Sequence, residues 1–534
     1  MRHSILTLLC LVVLFVAHPA TAAAACPPPT VNQGSVCVLM ADTVLNDTLW
    51  LTSGTHLDCQ GHRLTPVTNG SLDDPRTIAI EFQPSHPELA IFVRNAYDVQ
   101  IQNCVMSGFD FGIIIAQSKA AGAPNGQTLN IIRSNNIDVR TNAVDIIKSD
   151  GVVISGNRLT YASERGRGLV LDFDSDDNQV TGNTIISTDA ASTGQVRQLP
   201  GGPFVTNLAI MDNKIHILQA DKVLQNFVVS GVLVQVPAGE RQTDLEDTGR
   251  SDHNLVEANT IIDLGVGASC TLDPGTSCQA DTDCPGKGAC LRKQNSGVGF
   301  NIRAADNIVR GNTFSGRMDR GISFGGVPAV MTFPNWYPGK CVRNTSRLCS
   351  MDSDCNIPGY DTTDTGPCVG VGSATFNGNT LRLTASGNTL SGVYDTAAML
   401  ASNTDTFVFS GNTISGGVSG IRINTVGING TVQGNVVSGA GNALYLGAQS
   451  PFTSAISLND FKNYSVAIRT SNDSTTLTNI TPGNGNYWGL PCPGFDPARV
   501  LFDNGLVNPF VFDGKPYGVP VAQPVGTTQP NPCK

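Results

Sequence analysis

Carboxylate and guanidinium side chains recur at set distances from a recurring asparagine in this 534-residue chain, and their types define the chemistry open to it. Asp172, Asp174, Asp176 and Asp177 form the densest acidic cluster. Paired carboxylates of this kind serve as acid and base in glycoside hydrolysis, or as oxygen ligands for calcium, the one cofactor the residue types suggest. Asp172, Gln235, Asn301 and Asn424 each lie four residues after a glycine that opens an apolar segment (Gly168, Gly231, Gly297, Gly420), with Asp174, Arg303 and Arg422 at neighbouring outward positions. A second row lies seven and eight residues after a marker asparagine: Glu164-Arg165 after Asn157 and Asp319-Arg320 after Asn312, with Asp395 seven after Asn388. Guanidinium groups set among carboxylates and amides suit sugar hydroxyls and sugar carboxylates, which they hold bidentately. Solvated strand faces and turns carry the same residue types with no site at all, and exposed ion pairs contribute little.

The elements that must position these side chains repeat. A Gly-Asn pair precedes a short apolar run at Gly156-Asn157, Gly182-Asn183, Gly311-Asn312, Gly387-Asn388, Gly411-Asn412 and Gly434-Asn435, and successive steps include 26, 24 and 23 residues. Leu169-Val170-Leu171-Asp172-Phe173 and Ile421-Arg422-Ile423-Asn424 alternate apolar and other residues, the period of a strand with one buried face. A unit of two dozen residues built of short strands and turns cannot bury its apolar face alone, so copies must stack on a shared core. The expected architecture is all-β: a single-stranded right-handed parallel β-helix, with the asparagines stacked in one turn as a hydrogen-bonded ladder.

On these repeats the chain resembles the right-handed parallel β-helix superfamily of pectate-lyase-like proteins, most of all its Asn-rich repeat branch. Leu57-Asp58-Cys59-Gln60-Gly61-His62-Arg63-Leu64 is similar to the opening coil, Val99 to Cys104 to the next clear strand, and Asn486-Tyr487-Trp488-Gly489 to the closing segment. The resemblance implies fold far more than activity. Periplasmic carbohydrate-binding and sugar-hydrolase-like proteins share the branch, and some relatives handle copper, but the eight Met and seven His here form no Met/His-rich cluster. The polygalacturonase-like order of motifs is not met: Asp176-Asp177 precedes Asn403-Thr404-Asp405, and the later patterns are missing. By analogy with calcium-dependent lyases, Arg303 or Arg422 takes the part of the base beside Asp172 and Asp174.

Departures from the repeat mark two insertions and a tail. Cys270, Cys278, Cys284 and Cys290 repeat the spacing of Cys341, Cys349, Cys355 and Cys368 up to the third cysteine, each with Asp-x-Asp before that third cysteine. Two disulfides per module are favoured over zinc, with the pairing open. Pro237 to His253 is a charged loop. Residues 1–25 read as a secretory signal peptide, with ordinary cleavage favoured over lipid attachment at Cys26. Residues 26–490 then form one solenoid, interrupted at 237–253, 270–290 and 341–368, and 491–534 a Pro-rich cap closed by a Cys492–Cys533 disulfide. No later segment is long and apolar enough to span a membrane.

A formal charge of −10 and a sequence pI near 5.1 disfavour nucleic acid. The expectation is a monomer, secreted, periplasmic or at the cell surface, that binds and in its enzymatic form cleaves an extracellular polysaccharide or cell-surface glycan. Asp172 and Asp174 would act as acid/base or calcium ligands and Arg303 as clamp or base; Glu164, Arg165, Asn301, Asp319, Arg320, Arg422 and Asn424 would bind substrate. The rival is a non-catalytic adhesion or structural protein that makes its contacts through the cysteine modules and the charged loop.

Overall fold

The computed structural model describes residues 26–67, 89–116, 129–188 and 251–470, the last two with breaks of which the longest is 350–367, and isolated strands at 204–211, 228–229, 232–233, 501–502, 511–512 and 515–516. These are strands and turns, and the strands stack coil on coil. One sheet holds 13 strands, including Ile131–Arg133, Val153–Ser155, Gln179–Thr181, Leu255–Glu257 and Ile308–Arg310, paired in parallel beyond an antiparallel first pair. The other faces are joined by long bent strands such as Val105–Ala116, Asn136–Ile147, Thr313–Gly325 and Thr389–Ser402. The molecule is a right-handed parallel β-helix.

Alternation explains the core. In Thr313–Gly325, Phe314, Ile322 and Phe324 point inward and are fully buried, and each stacks on the equivalent residue of the next coil: Leu390, Met399 and Ala401. Phe300, Phe324 and Phe409 continue the column with ring centroids 5.0 to 5.2 Å apart. Burying each such ring contributes roughly 2–3 kcal/mol.

The marker asparagines stack in a turn. Asn135, Asn157, Asn183, Asn259, Asn312, Asn388, Asn412, Asn435 and Asn459 are all buried. Asn312 shows the pattern: its backbone N–H and its Nδ2 both donate to Asn388 Oδ1 at 3.0 Å, and Nδ2 also donates to the Val256 carbonyl. The preceding residue has positive φ, 62–65° at the six glycines named above and 55–56° at Ser134, Ala258 and Leu458. The Gly-Asn pair therefore reflects a backbone preference, since the left-handed region is free of strain only for glycine.

Two sequence expectations need comment. Counting back from Asn259 made Gly231 a coil opening, but Phe204–Met211 fills that coil, paired with Arg167–Asp172 on one side and Gln294–Phe300 on the other. Val228–Val229 pairs instead with Val232–Leu233, antiparallel. The count failed because the residues between Met211 and Ser251 outnumber the excess it allowed for; Gln235 and most of 237–253 lie outside the described residues.

The cysteine modules share one construction. Ala268–Cys270 pairs with Asp273–Ser277 and Cys290–Arg292, setting Cys270 opposite Cys290. Gly339–Cys341 pairs with Asn344–Cys349 and Cys368–Val369, setting Cys341 opposite Cys368. Cys284 is disulfide-bonded. Disulfides also join Cys26 to Cys37 and Cys59 to Cys104 across the first coils. With its sulfur in that bond, Cys26 has none for a thioether to lipid. Residues 1–25 and the Cys492 and Cys533 pair lie outside the described residues, and Leu501–Phe502 adds in parallel to Val466–Thr470.

Candidate functional site

One outward row can be followed along the solenoid by strand register. Trp50, Phe92, Ile114, Asp145 and Val170 align in successive coils, and further on Ser323, Leu400, Arg422, Tyr445 and Arg469 continue the same row. Phe92, Ile114, Val170 and Leu400 are buried yet stand apart from the inner core cluster, so this face is covered over much of its length. From Arg422 onward the row opens, and Arg422, Tyr445 and Arg469 are half-exposed.

The open end is cationic and aromatic. The Arg422 guanidinium carbon sits 4.4 Å from the Tyr445 ring centroid and that of Arg469 6.0 Å from it, within cation–π range. Arg422 Nε donates to Asn424 Oδ1 at 2.8 Å, which fixes the plane of the guanidinium. A Cβ at Gly447 would lie 2.5 Å from Asn424 Oδ1, so the glycine there leaves room for the amide. Burial holds Arg422 below the ordinary guanidinium pKa; the charges of Arg320 and Arg469 act in the same direction, and Tyr445 and Asp319 act against it.

Asp319 and Arg320 enter from the corner where the long strand bends. Register slips between Met318 and Arg320, so that Asp395 and Thr396 together oppose Asp319. A bulge of this kind re-aims side chains. Asp319 is buried, accepts a hydrogen bond from Thr396 Oγ1 and lies 3.1 Å from Arg320 Nε. Its carboxyl is pushed above 3.8, mainly by burial, against the pull of Arg320, Thr396 and Arg422. Asp395 is gripped by Arg317 through Nε and Nη2, both at 3.2 Å.

Of the residues nominated by spacing, Asp319, Arg320, Arg422 and Asn424 thus stand in one electrostatic neighbourhood. Asp172 ends a strand paired between Ile147 and Met211, several coils away from Arg422. Glu164, Arg165, Asp174, Asn301 and Arg303 lie outside the described residues. Within the acidic cluster, Asp176 has a turn role: its Oδ1 accepts the Asp252 N–H at 2.8 Å, and its own N–H donates to Asp150. Among the described residues no three His, Cys, Asp or Glu side chains gather as a metal site. Tyr445, Arg469 and Arg317 were missed. Arg422 lies 13 residues before Asn435 but Tyr445 14 before Asn459, so a fixed count hides that they are neighbours, whereas aligning the two strands by alternation reveals it.

The fold and this face define a solenoid of stacked coils with a cationic, aromatic opening. Residues 67–221 match the family described as periplasmic copper-binding protein (NosD). In the described part of that stretch Met106 is buried in the core and Cys104 is disulfide-bonded, so neither sulfur is offered as a copper ligand. No curated protein matches the sequence. Similar solved structures include a mutant tailspike protein of E. coli bacteriophage HK620 in complex with a pentasaccharide, 10% identical, with a TM-score of 0.35 over 87% of this chain and 67% of that one. DFA-IIIase from Arthrobacter chlorophenolicus A6 is 11% identical, with a TM-score of 0.32 over 81% and 85%. PfbA, a surface adhesin of Streptococcus pneumoniae, is 9% identical, with a TM-score of 0.35 over 82% and 85%.

Proposed function

We propose that this is an exported protein that binds an extracellular polysaccharide on the outer face of its β-helix, at Arg422, Asn424, Tyr445 and Arg469. The observation that carries the reading is the change along one row, from largely buried and mostly apolar side chains to a half-exposed guanidinium oriented by an aromatic ring and an amide. Planar, pre-set donors recognise sugar oxygens at low entropic cost. Disulfides in the first coils support an oxidising compartment, in keeping with export through residues 1–25.

Turnover is a second reading, favoured by the buried carboxyl of Asp319, its pKa raised by burial, beside Asp395, since glycoside hydrolysis works through a pair of carboxyl groups in different environments. Asp172, Asp174 and Arg303 stay the proposed catalytic set from spacing, with Glu164, Arg165 and Asn301 as further substrate contacts. Affinity electrophoresis against pectic, alginate and glycosaminoglycan polymers tests the binding reading. Retardation of the wild type by at least one polymer, relieved in Tyr445→Ala, is expected. Free migration of the wild type through every gel, or equal retardation of the variant, would overturn it.

A further inference from the structure

The charge of the ligand can be read from the same face. Among the described residues, the guanidiniums of Arg317, Arg320, Arg422 and Arg469 share one neighbourhood with the carboxyls of Asp319 and Asp395, on a chain whose formal charge is −10. Asp395 is engaged on both oxygens by Arg317, and Asp319, whose pKa burial raises, lies 3.1 Å from Arg320 Nε, which leaves Arg422 without a carboxylate of its own among the described residues. Arg320 and Arg469 each add repulsion at Arg422. Gathering like charges on a half-buried face costs free energy that a bound anion would relieve.

Orientation points the same way. Arg422 is fixed through Nε by Asn424 and lies against the Tyr445 ring, while its two terminal nitrogens make no hydrogen bond among the described residues. Those Nη groups present the side-by-side N–H pair that matches two oxygens of one anion. We infer that this face takes an anionic sugar group, a carboxylate or a sulfate ester of a polysaccharide, with Arg422 as the bidentate donor and Arg320 and Arg469 as flanking charges. This rests on the polysaccharide-binding reading above and adds the chemical class to it.

Binding of the full chain to polygalacturonate, κ-carrageenan and dextran separates carboxylate, sulfate and neutral polymers. The expected result is binding to one or both anionic polymers and not to dextran, with affinity falling about tenfold between about 50 and 300 mM NaCl as the charges are screened. Polygalacturonate alone would name carboxylate as the group read, carrageenan alone would name sulfate, and both would make charge itself the recognised feature. Arg422→Gln and Arg469→Gln should each lower affinity about fivefold or more with the thermal midpoint retained, as expected for a lost charge-assisted contact, while Arg133→Gln, an exposed arginine on another face, should leave it unchanged. Binding to dextran as tight as to the anionic polymers, or anionic binding indifferent to salt and to Arg422→Gln, would overturn the charge assignment and leave polysaccharide binding standing. Binding to none of a wide polymer panel would overturn the binding reading itself.

Discussion

The asparagine turn and the Arg422 face are built from the same repeating strands, yet one repeats its side chain coil after coil and the other does not. Asn312, Asn388, Asn412 and Asn435 make the same bonds to their neighbours in the stack, so each is explained by the coil that contains it. Arg422, Tyr445 and Arg469 replace one another in a single row and interact across coils in a pattern that occurs once among the described residues of that row. Repetition serves stacking, and a break in repetition leaves a surface with a chemistry of its own.

The sharpest way to break this comparison is at the ladder. Asn312→Ala would strip the side-chain donations to Val256, Arg310 and Asn388 from a buried site and take one acceptor from the Asn259 N–H and Nδ2, which both donate to Asn312 Oδ1. A loss of about 3 kcal/mol in urea unfolding is expected. Asn388→Ala in the same background should add less than its own single cost, because the two share a bond.

Next in size is a pH effect. Burial raises the folded pKa of Asp319 above 3.8, so the folded chain holds this proton more tightly than the unfolded chain does. The stability this provides is fully present below pH 3.8 and is lost as pH rises through the raised folded value. Urea midpoints across pH 3.5 to 7 should show the decline, and Asp319→Asn should flatten it; an unchanged profile would mean the carboxyl is solvated like any surface aspartate.

Leu458 occupies the ladder's glycine position at φ 56° and is exposed. Leu458→Gly should raise stability by up to about 1 kcal/mol by removing left-handed strain, partly offset by the freer unfolded chain. The smallest change is expected at the Arg422 face, where Arg422→Gln should alter stability by less than about 1 kcal/mol. A larger loss would make Arg422 a structural residue and erase the distinction.

Much of the fold was legible because its physics is local and repeated. The residue before each marker needs positive φ, and glycine with asparagine behind it announces that turn in six coils. Ser134, Ala258 and Leu458 obey the same geometry without the glycine, which is why their coils were harder to see. The face was legible only in part. Asp319, Arg320, Arg422 and Asn424 follow from counting along one chain segment. Arg317 meets Asp395 across 78 residues of sequence with a cysteine module between them, and no spacing rule spans such an insertion. Gly231 misled for the same reason: an insertion shifts the count while leaving the register of the stacked strands intact.

Amide-exchange footprinting of the intact chain, with and without a bound polysaccharide, tests the central claim most directly. Protection should concentrate in Ser419–Ile423, Asn442–Leu446 and Val466–Thr470, the strands that carry Arg422, Tyr445 and Arg469. Protection confined to Ala268–Arg292 and Gly339–Val369, with those three strands exchanging as in the free protein, would contradict it and give recognition to the cysteine modules.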